Sequence, residues 1–403
     1  MMLWQPALPQ LYTRMNEAEL AEAIATRKRE LGDRLVILGH HYQQDQVIQF
    51  ADFTGDSFKL SQLAAKQVHE SGAEYVIFLG VHFMAESADI LTPDETAVIL
   101  PDLGAGCSMA DMADYEQAVT AWEQMHELLD EKAFNGRVIP ICYMNSSAAI
   151  KAFCAERGGA VCTSSNCEAI FKWALEGGTQ PRAEGEQIKI LFLPDQHLGR
   201  NTAAAMGYDI DRDMCVYNPR DTDPSLLGGC TEAQLEQSTF ILWKGHCSVH
   251  MLFRPEHVDQ IRSMWPDATI IVHPECDHAV VQKADMSAST EGIIKAIEAA
   301  PAGSRWAIGT EVHLVNRLAK AAAQRGVTAR ILSDCQCLCT TMFRIDMPHL
   351  LWTLDKLAAG EVVNQIKVHP DARYWALEAM NRMLAHTGHS PQTPLAATAT
   401  GHP

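Results

Sequence analysis

Short apolar runs punctuate the whole chain, and each is followed by a polar cluster and then by a longer stretch with helical spacing. Runs over 35–39, 75–81 and 97–101 predict a first group of β-strands. A second group is predicted over 138–143, 160–163, 188–193 and 240–244, and a third over 269–273, 285–289, 305–309 and 330–333. Ala-rich segments such as 291–300 and 312–325 lie between them and read as helices. Strands alternating with helices predict α/β layers with mostly parallel strands, here in three repeated units.

The repeat is sharper in the polar residues after the strands. The first strands run into GHHYQQD (39–45), YMNSS (143–147) and HPECD (273–277), and later ones into VHFMAES (81–87), CTSSN (162–166) and SASTEG (287–292). Each group closes near a cysteine, in GAGCSMA, KGHCSVH and CQCLCTTM. Ser, Asn and His at such positions commonly serve as turns and helix caps. Open α/β sheets, however, bind ligands at the carboxyl ends of their strands, and recurrence in three units favours ligand contact.

The pattern divides the chain into a helical extension (1–29), a first unit (30–133), a second (134–249), a third with C-terminal helices (250–385) and a disordered tail (386–403). Residues 207–238, containing CVYNPRDTDPSLLGGC, read as an insertion or elaborated loop in the second unit and as a candidate lid.

Composition narrows the function. With 47% hydrophobic and 20% charged residues the chain is expected to fold around real cores rather than remain disordered. A formal charge of −18 repels polyphosphate backbones and argues against a nucleic-acid partner. The apolar stretch over 75–85 is broken by His82 and is too short for a membrane span, and the N-terminal residues lack a signal-peptide pattern; a cytoplasmic protein is expected. Twelve cysteines are too sparse for a secreted disulfide scaffold and too many to ignore in a reducing compartment.

Cys335, Cys337 and Cys339 form C-x-C-x-C, and thiolates are soft ligands suited to iron–sulfur clusters, zinc or copper(I). A zinc site would need a second pair, which Cys276 with His278 or His273 supplies on paper. The C-x₂-C-x₂-C run of ferredoxins and the C-x₃-C-x₂-C run of radical enzymes are absent. If each unit contributes one cysteine, the trio is Cys107, Cys247 and one of the last three. Three thiolates leave one iron of a four-iron cluster open, able to act as a Lewis acid. Gly104, Gly106 and Gly245 beside these cysteines would let backbone approach a bulky cofactor.

Eight ordered motifs, GHHYQ (39–43), GDS (55–57), YMNSS, CTSSN, GHCSVH (245–250), HPEC (273–276), SASTEG and GTE (309–311), make the stretch from roughly 30 to 345 resemble the quinolinate synthases. The resemblance implies three similar Rossmann-like, three-layer α/β units around a pseudo-threefold axis. It implies a transferase of pyridine-nucleotide (NAD) biosynthesis that condenses iminoaspartate with dihydroxyacetone phosphate, losing phosphate and two waters, on an open-site [4Fe-4S] cluster. By position its ligands are Cys107, Cys247 and Cys339. Two departures stand out: C-x-C-x-C replaces the family's C-x₂-C-x₂-C, so Cys337 rivals Cys339, and the segment around Cys215 and Cys230 is longer than expected.

Substrate chemistry suggests roles for the other motif residues. Ser57, Ser164, Ser289 and Thr290 sit at strand-to-helix junctions, where hydroxyls and free N–H groups hold phosphate or carboxylate, and Asn145 adds an orienting amide. Tyr42, beside His40, and Tyr143 are candidates for proton transfer; Glu275 is the candidate base, His273 orients a substrate oxygen, and His250 lies near the cluster to stabilise negative charge. An aspartate oxidase making the unstable imine is a candidate transient partner. Two other classes compete: a redox sensor built on Cys335, Cys337 and Cys339, and an aconitase-like hydro-lyase.

Overall fold

The computed structural model describes residues 5–223, 225–334 and 337–386, apart from the Phe58 side chain; Cys335 and residues 387–403 of the expected tail lie outside the described residues. The strands in chain order are β1 (Leu35–His40), β2 (Phe53–Gly55), β3 (Tyr75–Leu79), β4 (Ala97–Ile99), β5 (Gly136–Tyr143), β6 (Ala160–Cys162) and β7 (Gln187–Leu193). There follow β8 (Met214–Tyr217), β9 (Phe240–Trp243), β10 (Thr269–Val272), β11 (Met286–Ser287), β12 (Arg305–Gly309), β13 (Thr328–Ile331) and β14 (Gln365–Ile366).

These strands form three sheets, ordered β14-β4-β3-β1-β2, β6-β5-β7-β9-β8 and β11-β10-β12-β13. Every pairing within them is parallel except that of β14 with β4. The fold is therefore α/β with several parallel sheets, and in each the second strand of the group flanks the first while the third lies on its other side. The order in which strands are added switches sides between the first and third strands, and such a switch point opens a crevice at the strands' carboxyl ends.

Sequence explains the central strands directly. All six residues of β1, LVILGH, are buried, as expected for a strand covered on both faces. Helices cover those faces and start at side-chain caps. Asp56 accepts from the Lys59 amide, Ser147 from Ile150, Ser289 from Gly292 and Glu311 from His313 and Leu314, so helix N-termini collect at the same end of the sheets as the polar motifs.

Several boundaries differ from the sequence expectation. The run over 75–81 ends as a strand at Leu79, because Val81 already caps the helix His82–Leu91. The run over 285–289 yields only exposed Met286–Ser287, since Ser289 is consumed as a helix cap. The last strand of the third sheet is Thr328–Ile331 and not 330–333; pairing to Arg305–Ile308 fixes its register. Residues 207–238 supply an edge strand: β8 pairs in parallel with β9, and Glu232–Gln237 is helical. No described residue of that segment lines the central cleft.

The C-terminal elements tie units together. Strand β14 closes the edge of the first sheet, the helix Met347–Ala358 packs on Glu17–Leu31, and the helix Pro370–Ala385 packs on Ala148–Glu156 of the second unit. Among the described residues no helix is long and apolar enough to cross a membrane.

Candidate active site

The carboxyl ends of the three sheets face one cleft enclosing about 710 Å³ of space, part of it open to solvent. From the first unit it is lined by His40, Tyr42, Asp56, Ser57 and Cys107; from the second by Tyr143, Asn145, Thr163, Ser164 and Cys247; from the third by His273, Glu275, Thr290 and Cys339. Twelve of the fourteen residues singled out from the sequence thus line a single cavity. The two others stand behind it. His250 backs Glu275, and the Ser289 hydroxyl accepts from the Gly292 amide as a helix cap.

Two strand-end histidines are held in the same way. His40 Nδ1 accepts the amide of Tyr42 at 3.1 Å, and His273 Nδ1 accepts that of Glu275 at 3.3 Å. With Nδ1 used as an acceptor, the ring proton sits on Nε2. Burial, abetted for His40 by His41 and Arg317 and for His273 by His250, pushes both imidazoles down to about 3. The nearby carboxylates oppose this without overcoming it. At neutral pH the cleft therefore holds two uncharged N–H donors.

A hydrogen-bonded chain runs along one wall. The Tyr42 hydroxyl lies 3.0 Å from Thr290 Oγ1 and 2.9 Å from Thr310 Oγ1. Thr310 Oγ1 is 3.2 Å from His250 Nε2, and His250 Nδ1 is 2.8 Å from Glu275 Oε2. A carboxylate only accepts, so His250 carries its proton on Nδ1. Tyr42 is thereby connected to Glu275 through two side chains, and Tyr143 and Ser164 face the same carboxylate end. Burial and the charge of Glu275 raise both phenols well above the ordinary tyrosine value, keeping them protonated. Burial raises the Glu275 carboxyl too, but His273, His250 and Tyr143 more than compensate and leave it below the usual carboxylate range.

The three cysteines occupy the seams between cores. Cys107 packs against the hydrophobic clusters of the first and second sheets, Cys247 against those of the second and third, and Cys339 against those of the third and first. Cys337 instead is fully buried beside Val249, Phe253 and Cys276. Burial raises all three seam thiols, Cys107 to about 12, so a metal would have to displace their protons. Gly245 packs against protein: a Cβ there would lie 2.2 Å from the Pro194 carbonyl oxygen. The same holds for Gly104, where the Arg344 guanidinium lies within 2.8 Å, while Gly106 has open space. Packing against the protein is thus itself a reason for glycine at Gly104 and Gly245.

The family model for NadA, quinolinate synthetase A protein, matches residues 22–385. The chain belongs to that family. It is 53% identical over 377 residues to the quinolinate synthase of Acidobacterium capsulatum, covering 94% of this chain and 95% of the relative. It is also 53% identical to that of a Nocardioides species (93% and 91% covered) and 50% identical to that of Streptomyces coelicolor (92% and 89% covered).

Family membership implies a metal cofactor, and the donor set fits one. Three soft thiols meet in one cleft, where the Cys339 sulfur lies 3.5 Å from the Thr341 hydroxyl. The zinc pairing of Cys276 with His278 is not assembled: Cys276 faces the Gly309 carbonyl and His278 Nδ1 bonds Asn201. Among the described residues Cys247, His250 and Glu275 bring ligand atoms within 4.8 Å of one another, but a single ion there would have to break the His250–Glu275 bond.

Sequence reasoning missed residues that act on others. Thr310 sits inside the GTE motif yet had no assigned role. Lys151, fully buried, donates to the Ser146 carbonyl beneath the loop that carries Tyr143 and Asn145, and burial lowers its ammonium. Only its position four residues after the YMNSS run hinted at this.

Proposed function

We propose that the protein condenses iminoaspartate with dihydroxyacetone phosphate to give quinolinate, phosphate and two waters, acting as a transferase with a [4Fe-4S] cluster held by Cys107, Cys247 and Cys339. The observation that carries this reading is the convergence of three seam cysteines with Tyr42, Tyr143 and Glu275 on one cleft. When bound, the cluster supplies an iron with an open position, a Lewis acid for an oxygen that leaves as water.

The side chains of the cleft account for the rest. No lysine or arginine is among the described lining residues, so the anionic substrates are bound by neutral donors. These are the Nε2–H groups of His40 and His273, the hydroxyls of Ser57, Ser164 and Thr290, the Asn145 amide, and the helix N-termini at Ser57 and Thr290. Neutral donors bind phosphate without trapping it, and phosphate is a product. Glu275 keeps an anion at neutral pH and takes a substrate proton transiently, sharing it with His250. Tyr42 takes a substrate proton as its own hydroxyl proton passes through Thr310 to His250 Nε2, the imidazolium so formed being paired with Glu275, and the reverse passage lets Tyr42 donate to a leaving oxygen. Tyr143 serves the opposite wall.

We further read the three sheets as related by a pseudo-threefold axis. Their common strand order supports this, as does the equivalent register of the helices His82–Leu91, Gln196–Ala205 and Val312–Ala323 after each third strand. The unstable imine calls for an oxidase of aspartate nearby, in the same cytoplasmic compartment.

Protein purified without air should contain iron and sulfide, give the Mössbauer signature of a four-iron cluster and form quinolinate from the two substrates. A zinc-only protein, or an iron–sulfur protein that forms no quinolinate, would overturn the reading.

A further inference from the structure

Two side chains outside the cleft grip the backbone on both sides of a cleft residue belonging to another unit. Arg317, on Val312–Ala323 of the third unit, donates through Nη1 to the Gln43 carbonyl at 2.7 Å and through Nη2 to the His41 carbonyl. These carbonyls flank Tyr42. Its Nη1 also bonds Asp45 at 2.8 Å, which holds the planar fork in place. Asn201, on Gln196–Ala205 of the second unit, donates through Nδ2 to the carbonyls of Pro274 and Cys276, each at 2.8 Å. These flank Glu275. The Asn201 Oδ1 is fixed in turn by His278 Nδ1 at 2.7 Å.

The two grips occupy equivalent places. Arg317 and Asn201 are each the sixth residue of the helix after the third strand of their sheet. The sixth residue of the corresponding first-unit helix, Ser87, donates to the Phe83 carbonyl of its own helix at 2.8 Å and lies 3.8 Å from the sulfur of Met144, between Tyr143 and Asn145 of the second unit. The contacts thus run from the third unit to the first, the second to the third, and the first to the second.

We propose that Arg317 and Asn201 are positioning residues for Tyr42 and Glu275, fixing each across a unit boundary through the carbonyls on either side of it. This rests on the proton-transfer roles given to Tyr42 and Glu275 above. Neither residue lines the cleft, so neither contributes to substrate affinity by contact. A guanidinium fork spans two carbonyls; the single ammonium of a lysine reaches one while keeping the charge and the Asp45 pairing.

The test compares Arg317→Lys and Asn201→Ala with Tyr42→Phe, Glu275→Gln and Lys320→Met, all loaded with cluster and kept anaerobic. Lys320 shares Asp45 with Arg317, at 3.1 Å, but touches neither carbonyl. A catalytic group displaced by about 1 Å loses about a hundredfold in rate, so kcat in Arg317→Lys and Asn201→Ala should fall about 10- to 100-fold with KM changed less than about threefold. Iron content should be unchanged, and Lys320→Met should behave as the parent. Amide exchange should rise over 40–45 only in Arg317→Lys, and over 273–278 only in Asn201→Ala. If Arg317→Lys folds poorly, Asp45→Asn, which frees the fork without removing it, should give a smaller fall in kcat with the same exchange change over 40–45; if Asn201→Ala does, His278→Ala, which frees the Asn201 Oδ1, should do so over 273–278. Full kcat in Arg317→Lys and Asn201→Ala beside inactive Tyr42→Phe and Glu275→Gln would overturn the clamp alone, as would a change confined to KM. Full kcat in Tyr42→Phe and Glu275→Gln would overturn the roles on which it rests.

Discussion

Thr310 is the narrowest point of the chain linking Tyr42 to Glu275, and Thr310→Val removes one hydroxyl with little change of shape. Thr310 is fully buried, and its Oγ1 bonds both the Tyr42 hydroxyl and His250 Nε2. Two neutral hydrogen bonds at about 0.5–1.5 kcal/mol each put the stability loss at about 1–3 kcal/mol. Thr290→Val severs the 3.0 Å bond to the same phenol and should cost about half as much. Their effects on turnover should diverge more widely, because only Thr310 reaches His250. Loss of assisted proton transfer lowers kcat by about 10²- to 10⁴-fold, or about 2.7–5.4 kcal/mol of barrier, in Thr310→Val. In Thr290→Val, which removes a lining hydroxyl at a helix N-terminus, the main change should be a higher KM. Initial rates of quinolinate formation under saturating anaerobic conditions, beside thermal melts and iron content, read both effects. Equal kcat losses from the two substitutions, or near-parental kcat in Thr310→Val while Tyr42→Phe is inactive, would refute the relay.

Cys339→Ser should abolish bound iron and activity, whereas Cys337→Ser, altering a packed core position, should keep both; iron and sulfide analysis decides, and iron loss only in Cys337→Ser would exchange their roles. Gly245→Ala forces a Cβ to within 2.2 Å of the Pro194 carbonyl oxygen, so the loop two residues ahead of Cys247 must shift and cluster occupancy should drop. Gly106→Ala, whose nearest neighbour would lie 3.7 Å away, should load normally, and equal loading of the two variants would count against this. Glu291 is held down to about 2 chiefly by its hydrogen bond with His41 and also by Lys59, against the cost of burial. Its folded value lies below the ordinary ~4.3, so its stabilisation is complete above that pH and disappears as acid takes the protein toward pH 2. Denaturant midpoints should therefore fall less steeply across this window in Glu291→Gln than in the parent, and parallel curves would exclude the contribution.

How much could be read from the residues followed from where each signal resides. The buried strands β1, β3, β5, β7 and β12 announce themselves as apolar runs, interrupted in β7 by Lys189, because both faces are covered. The short edge strands β2 and β14 do not, being two or three residues long and fixed by their neighbours. Strand β8 was hidden in a polar, Pro- and Gly-containing stretch whose turn residues dominate its four-residue apolar core. Most of the candidate site was legible because strand ends carry ligands in such sheets, and His40, Tyr143 and Glu275 sit at those ends. Ser289 reads both as a helix cap and as a ligand-facing hydroxyl, two compatible roles, and its hydroxyl caps the helix Thr290–Glu298. Thr310, Arg317, Asn201 and Lys151 were opaque because each acts by touching another residue, in all but the Lys151 case one more than 70 positions away.

The bonds that seat Tyr42 join it to partners 248 and 268 positions later in the chain. A ribosome must therefore finish most of the polypeptide before the first of its working groups acquires a fixed place, and pairings of such sequence separation form slowly. Nascent protein spends that interval with its sulfhydryls uncollected, so iron delivered during translation would meet ligands that have not yet found one another. On the proposed reading, cluster assembly follows synthesis, when the late segments have closed over the early ones.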